Sequence, residues 1–193
     1  MAKIGIRKVM VAKRVETEGT GGVIEVSYSD GMQLGTTAGF TGSPNSNDVT
    51  DYGDDYAVET DKSVTGGTIS LEQNNLTLEE KAFLLGHTIG TTGATLDEME
   101  YKSEDIAPYV GIGAIGVSRR GGADVYVGKW YTKVQFAEPS DENQTKAESI
   151  TFTHTTIEGT ILIPEDKVWK NEKEFDSETA AVAWLKGKAN ISN

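Results

Sequence analysis

Tyr109-Val-Gly-Ile-Gly-Ala-Ile-Gly-Val-Ser-Arg-Arg120, then Gly121-Gly-Ala-Asp124, then Val125-Tyr-Val-Gly-Lys-Trp-Tyr-Thr-Lys-Val-Gln-Phe136 is the stretch that decides the fold. The first part is apolar and interrupted by glycine. Arg119-Arg-Gly-Gly-Ala-Asp124 reads as the turn, since glycine supplies turns. The third returns with side chains alternating in character. Tyr126, Trp130, Val134 and Phe136 are expected on one face, with Lys129, Tyr131, Lys133 and Gln135 on the other. A period of two of this kind predicts a half-buried antiparallel strand. The stretch therefore reads as a hairpin at the centre of a mainly β protein.

The same stretch contains Gly111-Ile-Gly-Ala-Ile-Gly116, which matches G-x-G-x-x-G letter for letter. Dinucleotide binding needs a strand before that motif, a helix start after it and an acidic residue about twenty positions on. Here strand and turn follow instead, so the glycines are expected to serve close packing or a bend.

Working outward, residues 3–15 alternate Ile4 and Ile6 with Lys3, Gly5 and Arg7 and read as an extended segment without an acidic residue. Gly19 to Gly22 predicts a turn and 23–28 a second short strand. Gly66 to Glu72 predicts a strand with Ile69 and Leu71 on one face. Thr77 followed three residues later by Glu80 is a capping box, so a helix is expected over about 77–86, closed by Gly86. Residues 90–107 read as a polar, acidic connection. Ser149–Ile163 reads as a Thr-rich strand bent at Gly159, and Lys167–Phe175 as a final short strand. Asp176 or Ser177 caps a C-terminal helix over about 177–188 that carries Val182 and Leu185.

Thr36 to Asp61 differs from the rest. It is rich in Gly, Ser, Asn and Thr, and Asp48, Asp51, Asp54, Asp55, Glu59 and Asp61 supply its charge without any Lys or Arg. It predicts a long loop over 40–61, mobile in the free subunit. Carboxylates here could serve hydrolysis if burial split their pKa values, but nothing around them beyond Tyr52 and Tyr56 suggests a dry pocket. The regular D-x-D-x-D-G calcium spacing is absent.

Composition narrows the function classes. The 193 residues carry 30 acidic and 18 basic side chains, a formal net charge of -12. That argues against a general nucleic-acid clamp, whose affinity rests on clustered Lys and Arg. Absence of cysteine excludes disulfides, zinc-thiolate sites and thiol nucleophiles. His87 and His154 are isolated in sequence and read as structural, with no metal or cofactor expected. Arg119 and Arg120 at the turn could touch phosphate but are expected to be solvated. Asn75-Leu-Thr77 and Asn143-Gln-Thr145 match the glycosylation pattern. Met1-Ala-Lys-Ile-Gly5 lacks the apolar core of a signal peptide, and no apolar run is long enough to span a bilayer, so a soluble cytoplasmic product is expected. The 37% hydrophobic fraction is low for a monomeric enzyme and suits a subunit that completes its burial against neighbours.

Several stretches in order carry a family resemblance. They are Tyr52-Gly-Asp-Asp55, Gly66-Gly-Thr-Ile-Ser-Leu71, Leu78-Glu-Glu80 and Leu84-Leu-Gly-His87. Ala107-Pro-Tyr-Val-Gly-Ile-Gly113, Tyr126 to Phe136, Pro139 to Lys146, Phe152 and Glu158-Gly-Thr-Ile161 complete the set. Over about residues 3–163 the chain resembles the major tail proteins, or tail tube proteins, of long non-contractile-tailed bacteriophages of Gram-positive hosts. The resemblance implies a two-sheet β-sandwich or barrel with a flanking helix over 1–164, leaving 165–193 as a C-terminal strand-helix extension. It implies six-subunit rings stacked into a hollow tube through which genomic DNA passes transiently. Its implied partners are further copies of the chain, a tape measure protein and a tail terminator, with a place in the virion tail after assembly in the bacterial cytoplasm. It carries no catalytic residue and no membrane partner.

An acidic subunit suits such a conduit, because a negative lumen repels phosphate. Adjacent rings would meet through the acidic residues Asp48, Asp51, Asp54, Asp55 and Glu59 and the basic residues Lys3, Arg7, Lys8, Lys13 and Arg14, a heterologous contact that propagates without closing. The other classes are a head decoration or secretion-tube subunit and a small carboxylate hydrolase.

Overall fold

The computed structural model describes residues 2–19, 21–53, 56–92, 96–140 and 154–191. The elements run β1 (Ala2–Glu18), β2 (Ile24–Gln33), β3 (Thr37–Ser46), β4 (Val49–Gly53), β5 (Tyr56–Asp61) and β6 (Val64–Gln73), then α1 (Leu78–Leu85). After β7 (Thr88–Ile89) and β8 (Met99–Glu100) come the long strands β9 (Val110–Arg120) and β10 (Ala123–Phe136). β11 (Thr155–Ile161), β12 (Lys170–Phe175) and α2 (Glu178–Lys188) complete the chain. The protein is mainly β, as the composition and alternation predict.

β9 and β10 form the expected hairpin. Arg120 pairs with Ala123 across a two-residue loop whose residues, Gly121 and Gly122, have φ of 60° and 89°. Positive φ at both positions is the requirement of a type I′ turn, whose twist matches that of the strands. Around this hairpin the main sheet runs in the order β2-β1-β9-β10-β11-β6-β3, with every pair antiparallel and β12 also on β10. β10 is long enough to hold two neighbours on one edge, β12 along Tyr126–Tyr131 and β11 along Val134–Phe136.

The main sheet bends over itself. β1 and β3 stand five positions apart in the strand order and still touch, which only a curled sheet permits. The curl encloses a core of Val9, Val11, Val110, Ile112, Tyr131 and Val134 from one side and Ile69, Leu71, Ile157 and Ile161 from the other. α1 plugs this core with Leu84 and Leu85. Its start is fixed by the predicted capping box: Thr77 Oγ1 accepts from Glu80 N–H, and Glu80 Oε2 accepts from Thr77 N–H at 2.9 Å. Gly86 closes it in the left-handed region.

A second core lies on the opposite face of the same strands. Met10, Ala12, Ile115 and Trp130 pack there against Ala181, Leu185 and Ala189 of α2. Residues 165–191 contain the expected strand and helix. They supply a strand to the main sheet and the helix that covers its outer face.

Three further expectations change. Tyr131, Val134 and Phe136 line the inner core while Tyr126 and Trp130 face α2. The ladder to β9 shifts between Tyr131 and Val134, and an inserted residue reverses which face each later side chain takes. Gly159 does not bend its strand: the ladders run unbroken through it, and it lies beneath Val134 and Phe136. Residues 40–61 are not a loop but mostly β3, β4 and β5. The part of the Thr-rich strand before His154, and Asn143 with it, lie outside the described residues.

Candidate functional site

The ladder between β3 and β6 does not stop at the sheet. It passes Ser46↔Val64, continues through Asn47 N–H to Ser63 O at 2.8 Å, and resumes as Val49↔Asp61. β4 and β5 thus extend the hairpin beyond the body as a separate two-stranded ribbon. At about 3.3 Å per residue, its five-residue strand reaches roughly 16 Å. The junction is held by Asp61, whose carboxylate accepts from Ser63 N–H at 2.9 Å and Asn47 Nδ2 at 3.0 Å. Those bonds, Ser63 N–H first, hold the Asp61 carboxyl below its ordinary range.

The arm leaves apolar side chains in solvent. Tyr52 is 70% exposed, Tyr56 63% and Val49 58%. Pro44 sits in β3, whose outer edge is unpaired among the described residues. Proline is tolerated there because an edge strand has a free side. The other terminal strand, β2, is partly closed, since Asn190 Nδ2 donates to Tyr28 O at 2.9 Å.

The predicted charged set is divided by the fold. Asp48 lies exposed at the base of the arm and pairs with Lys62. Asp51 and Glu59 stand opposite each other in the β4–β5 register. Asp54 and Asp55, and the side chains of Asp51 and Lys3, lie outside what is described. On the basic side, the Arg14 side chain is 3% exposed and is engaged by Glu16 at 2.7 Å and by Thr132 O at 3.1 Å. Thr132 is the residue at the β10 register shift, and its carbonyl accepts from Arg14 and from Tyr28 Oη. Arg14 thus satisfies the backbone that the irregularity frees. Lys13 pairs with Asp30 at 3.4 Å and lies over the Phe83 ring, and Arg7 pairs with Glu178 of α2 at 2.8 Å. Lys8 is exposed at φ 50° where the β1–β9 ladder shifts, and makes no ion pair among the described residues. Arg7 and Lys8 line a cleft of about 470 Å³ with Glu178 and residues 33–37.

The glycine motif has a packing role. A Cβ on Gly111 would run into Trp130 and Tyr28, and one on Gly113 into Leu185, Trp130 and the Lys129 carbonyl. The glycines form a trough for the Trp130 indole, so the phosphate reading has no place. Arg119 and Arg120 at the turn are paired with Asp124 and Glu174. His154 is exposed just before β11.

Sequence reasoning missed the surroundings of His87. Its ring lies between Asp105 and Glu138 and against Tyr101. Among the described residues no three His, Asp or Glu side chains group to hold a metal, and no helix is long and apolar enough to cross a membrane. No family model matches the chain, and no curated protein matches it either. The tail-tube resemblance therefore stands on the quoted residues.

Proposed function

We propose that the protein is a structural subunit of a hollow tube, and that the tube is the tail tube of a long non-contractile-tailed phage. The observation that carries the reading is the β4–β5 arm, a ribbon that projects beyond the core and holds Val49, Tyr52 and Tyr56 in water. A two-stranded ribbon is at best marginal by itself, so an arm of this kind is completed by burial against something else. Charge favours another copy, since the arm is acidic and Lys8 and Arg7 line a cleft on the body. In this reading six subunits close a ring, the arm crosses to the next ring, and the net charge of -12 keeps DNA from adhering to the lumen. The protein would act in the virion tail after assembly in a bacterial cytoplasm, with no catalytic residue.

Light scattering over a concentration series, with negative-stain microscopy of the most concentrated fraction, tests it. Rings or hollow tubes are expected from the intact chain and none from a chain lacking 49–61. A closed dimer that persists at every concentration would refute it.

A further inference from the structure

The imidazole of His87 follows Gly86, the residue that ends α1, and its side chain is only 4% exposed. Nδ1 lies 2.8 Å from Asp105 Oδ2, and Nε2 is in contact with Glu138 Oε1. An ionised carboxylate offers only acceptors. Two such partners require a proton on each ring nitrogen, so the geometry selects the imidazolium. Three parts of the chain meet here: the end of α1, the 99–108 connection and the segment leaving β10.

We propose that His87, Asp105 and Glu138 form a pH-operated latch that fastens the 99–108 connection to the ends of α1 and β10. The charged and titratable groups facing the imidazole are Asp105 and Tyr101 from the connection and Glu138 from beyond β10. The Tyr101 ring centroid stands 4.4 Å from that of the imidazole. Lys102 orients Asp105 by donating its backbone N–H at 3.0 Å, and its ammonium lies 3.5 Å from Glu100. A second tie, Gln135 Nε2 to Ala107 O at 2.9 Å, does not titrate, so opening is local rather than a release of the whole connection. The device does not depend on the tube reading. It bears on how the connection presents Tyr101 and Ile106, both exposed.

Burial opposes the charged ring, but the hydrogen bonds it donates to Asp105 and Glu138 and their charges outweigh it, and the His87 pKa is raised above its ordinary 6.5. A raised folded-state value means the latch contributes fully below 6.5 and loses its contribution as pH rises through the raised value. The His87 hydrogen bond, followed by the Lys102 N–H, holds the Asp105 carboxyl below its ordinary 3.8. That part of the latch is fully present above 3.8 and fails as pH falls through the lowered value.

The test is a pH series on the full chain labelled with ¹⁵N-histidine, read by long-range ¹H–¹⁵N NMR, with His154→Gln assigning the two rings. Both His87 nitrogens should be protonated on the acid side of a single midpoint, and that midpoint should lie above 6.5. Hydrogen exchange over 99–108, corrected for its intrinsic pH dependence, should quicken several-fold across that midpoint. Glu138→Gln should lower the midpoint, and His87→Gln should remove the step in exchange. A midpoint at or below 6.5, or exchange over 99–108 without a step in the wild-type chain, would overturn the proposal. The wild-type titration decides it even if a variant fails to fold.

Discussion

The central strands β1, β9 and β10 and the projecting ribbon of β4 and β5 are both antiparallel, but they are finished in different ways. The central strands are covered on both faces, by the inner core on one side and α2 on the other. Their side chains interlock closely enough that glycine is required beneath Trp130. The ribbon has its ladder and a hydrogen-bonded junction at Asp61, but Tyr52 and Tyr56 stand mostly in solvent. The difference separates two kinds of constraint. In the covered strands a substitution is felt as stability, whereas in the ribbon it should be felt as association.

The most severe way to break the covered half is Trp130→Ala. Emptying this fully buried site should cost about 3–5 kcal/mol, read as a lower midpoint in urea unfolding. Trp130→Phe should lose much less, since it keeps an aromatic ring and removes an indole N–H that has no acceptor among the described residues. Gly113→Ala comes next, at roughly 1–3 kcal/mol, because one obstacle to its methyl is the Lys129 backbone carbonyl, which cannot rotate away.

Glu80→Ala should cost about 1–2 kcal/mol by the same measurement. It removes the capping partner of Thr77 and also the acceptor of Gly35 N–H, 2.6 Å away, which ties α1 to the β2–β3 connection. Gly122→Ala should cost about 1 kcal/mol, from forcing a side chain to φ 89° with no clash to add to it. Tyr56→Ser sharpens the comparison from the other side. Its unfolding midpoint should stay within about 0.5 kcal/mol of the parent, while light scattering shows assembly lost. Equal losses of stability at Tyr56 and at Gly113 would erase the distinction between the two regions.

What was legible in advance follows from how far each signal reaches along the chain. The capping box spans Thr77 to Glu80 and the hairpin turn lies within Arg119 to Asp124, and both are found as expected. The ribbon is hidden from a local reading because its Gly, Ser, Asn and Thr content is that of a loop. Ladder hydrogen bonds join backbone groups and disregard that content, and β6, carrying Ile69 and Leu71, provides a template for β3. The partners of the basic residues are hidden from the sequence for a similar reason. Nothing local to Arg14 reveals that a carbonyl at Thr132 needs its guanidinium, and nothing local to Arg7 points to Glu178.

By itself the sequence determined the mainly β class, both helices with their caps, the central hairpin and the acidic balance, since each depends on residues within a few positions or on composition alone. Tertiary structure decided the curl of the single sheet, the reversal of faces after Tyr131, the use of Gly111 and Gly113 as a trough, and the clamp on His87. Each of those is a contact between segments distant in the chain, and its energy exists only when register and packing have brought them together.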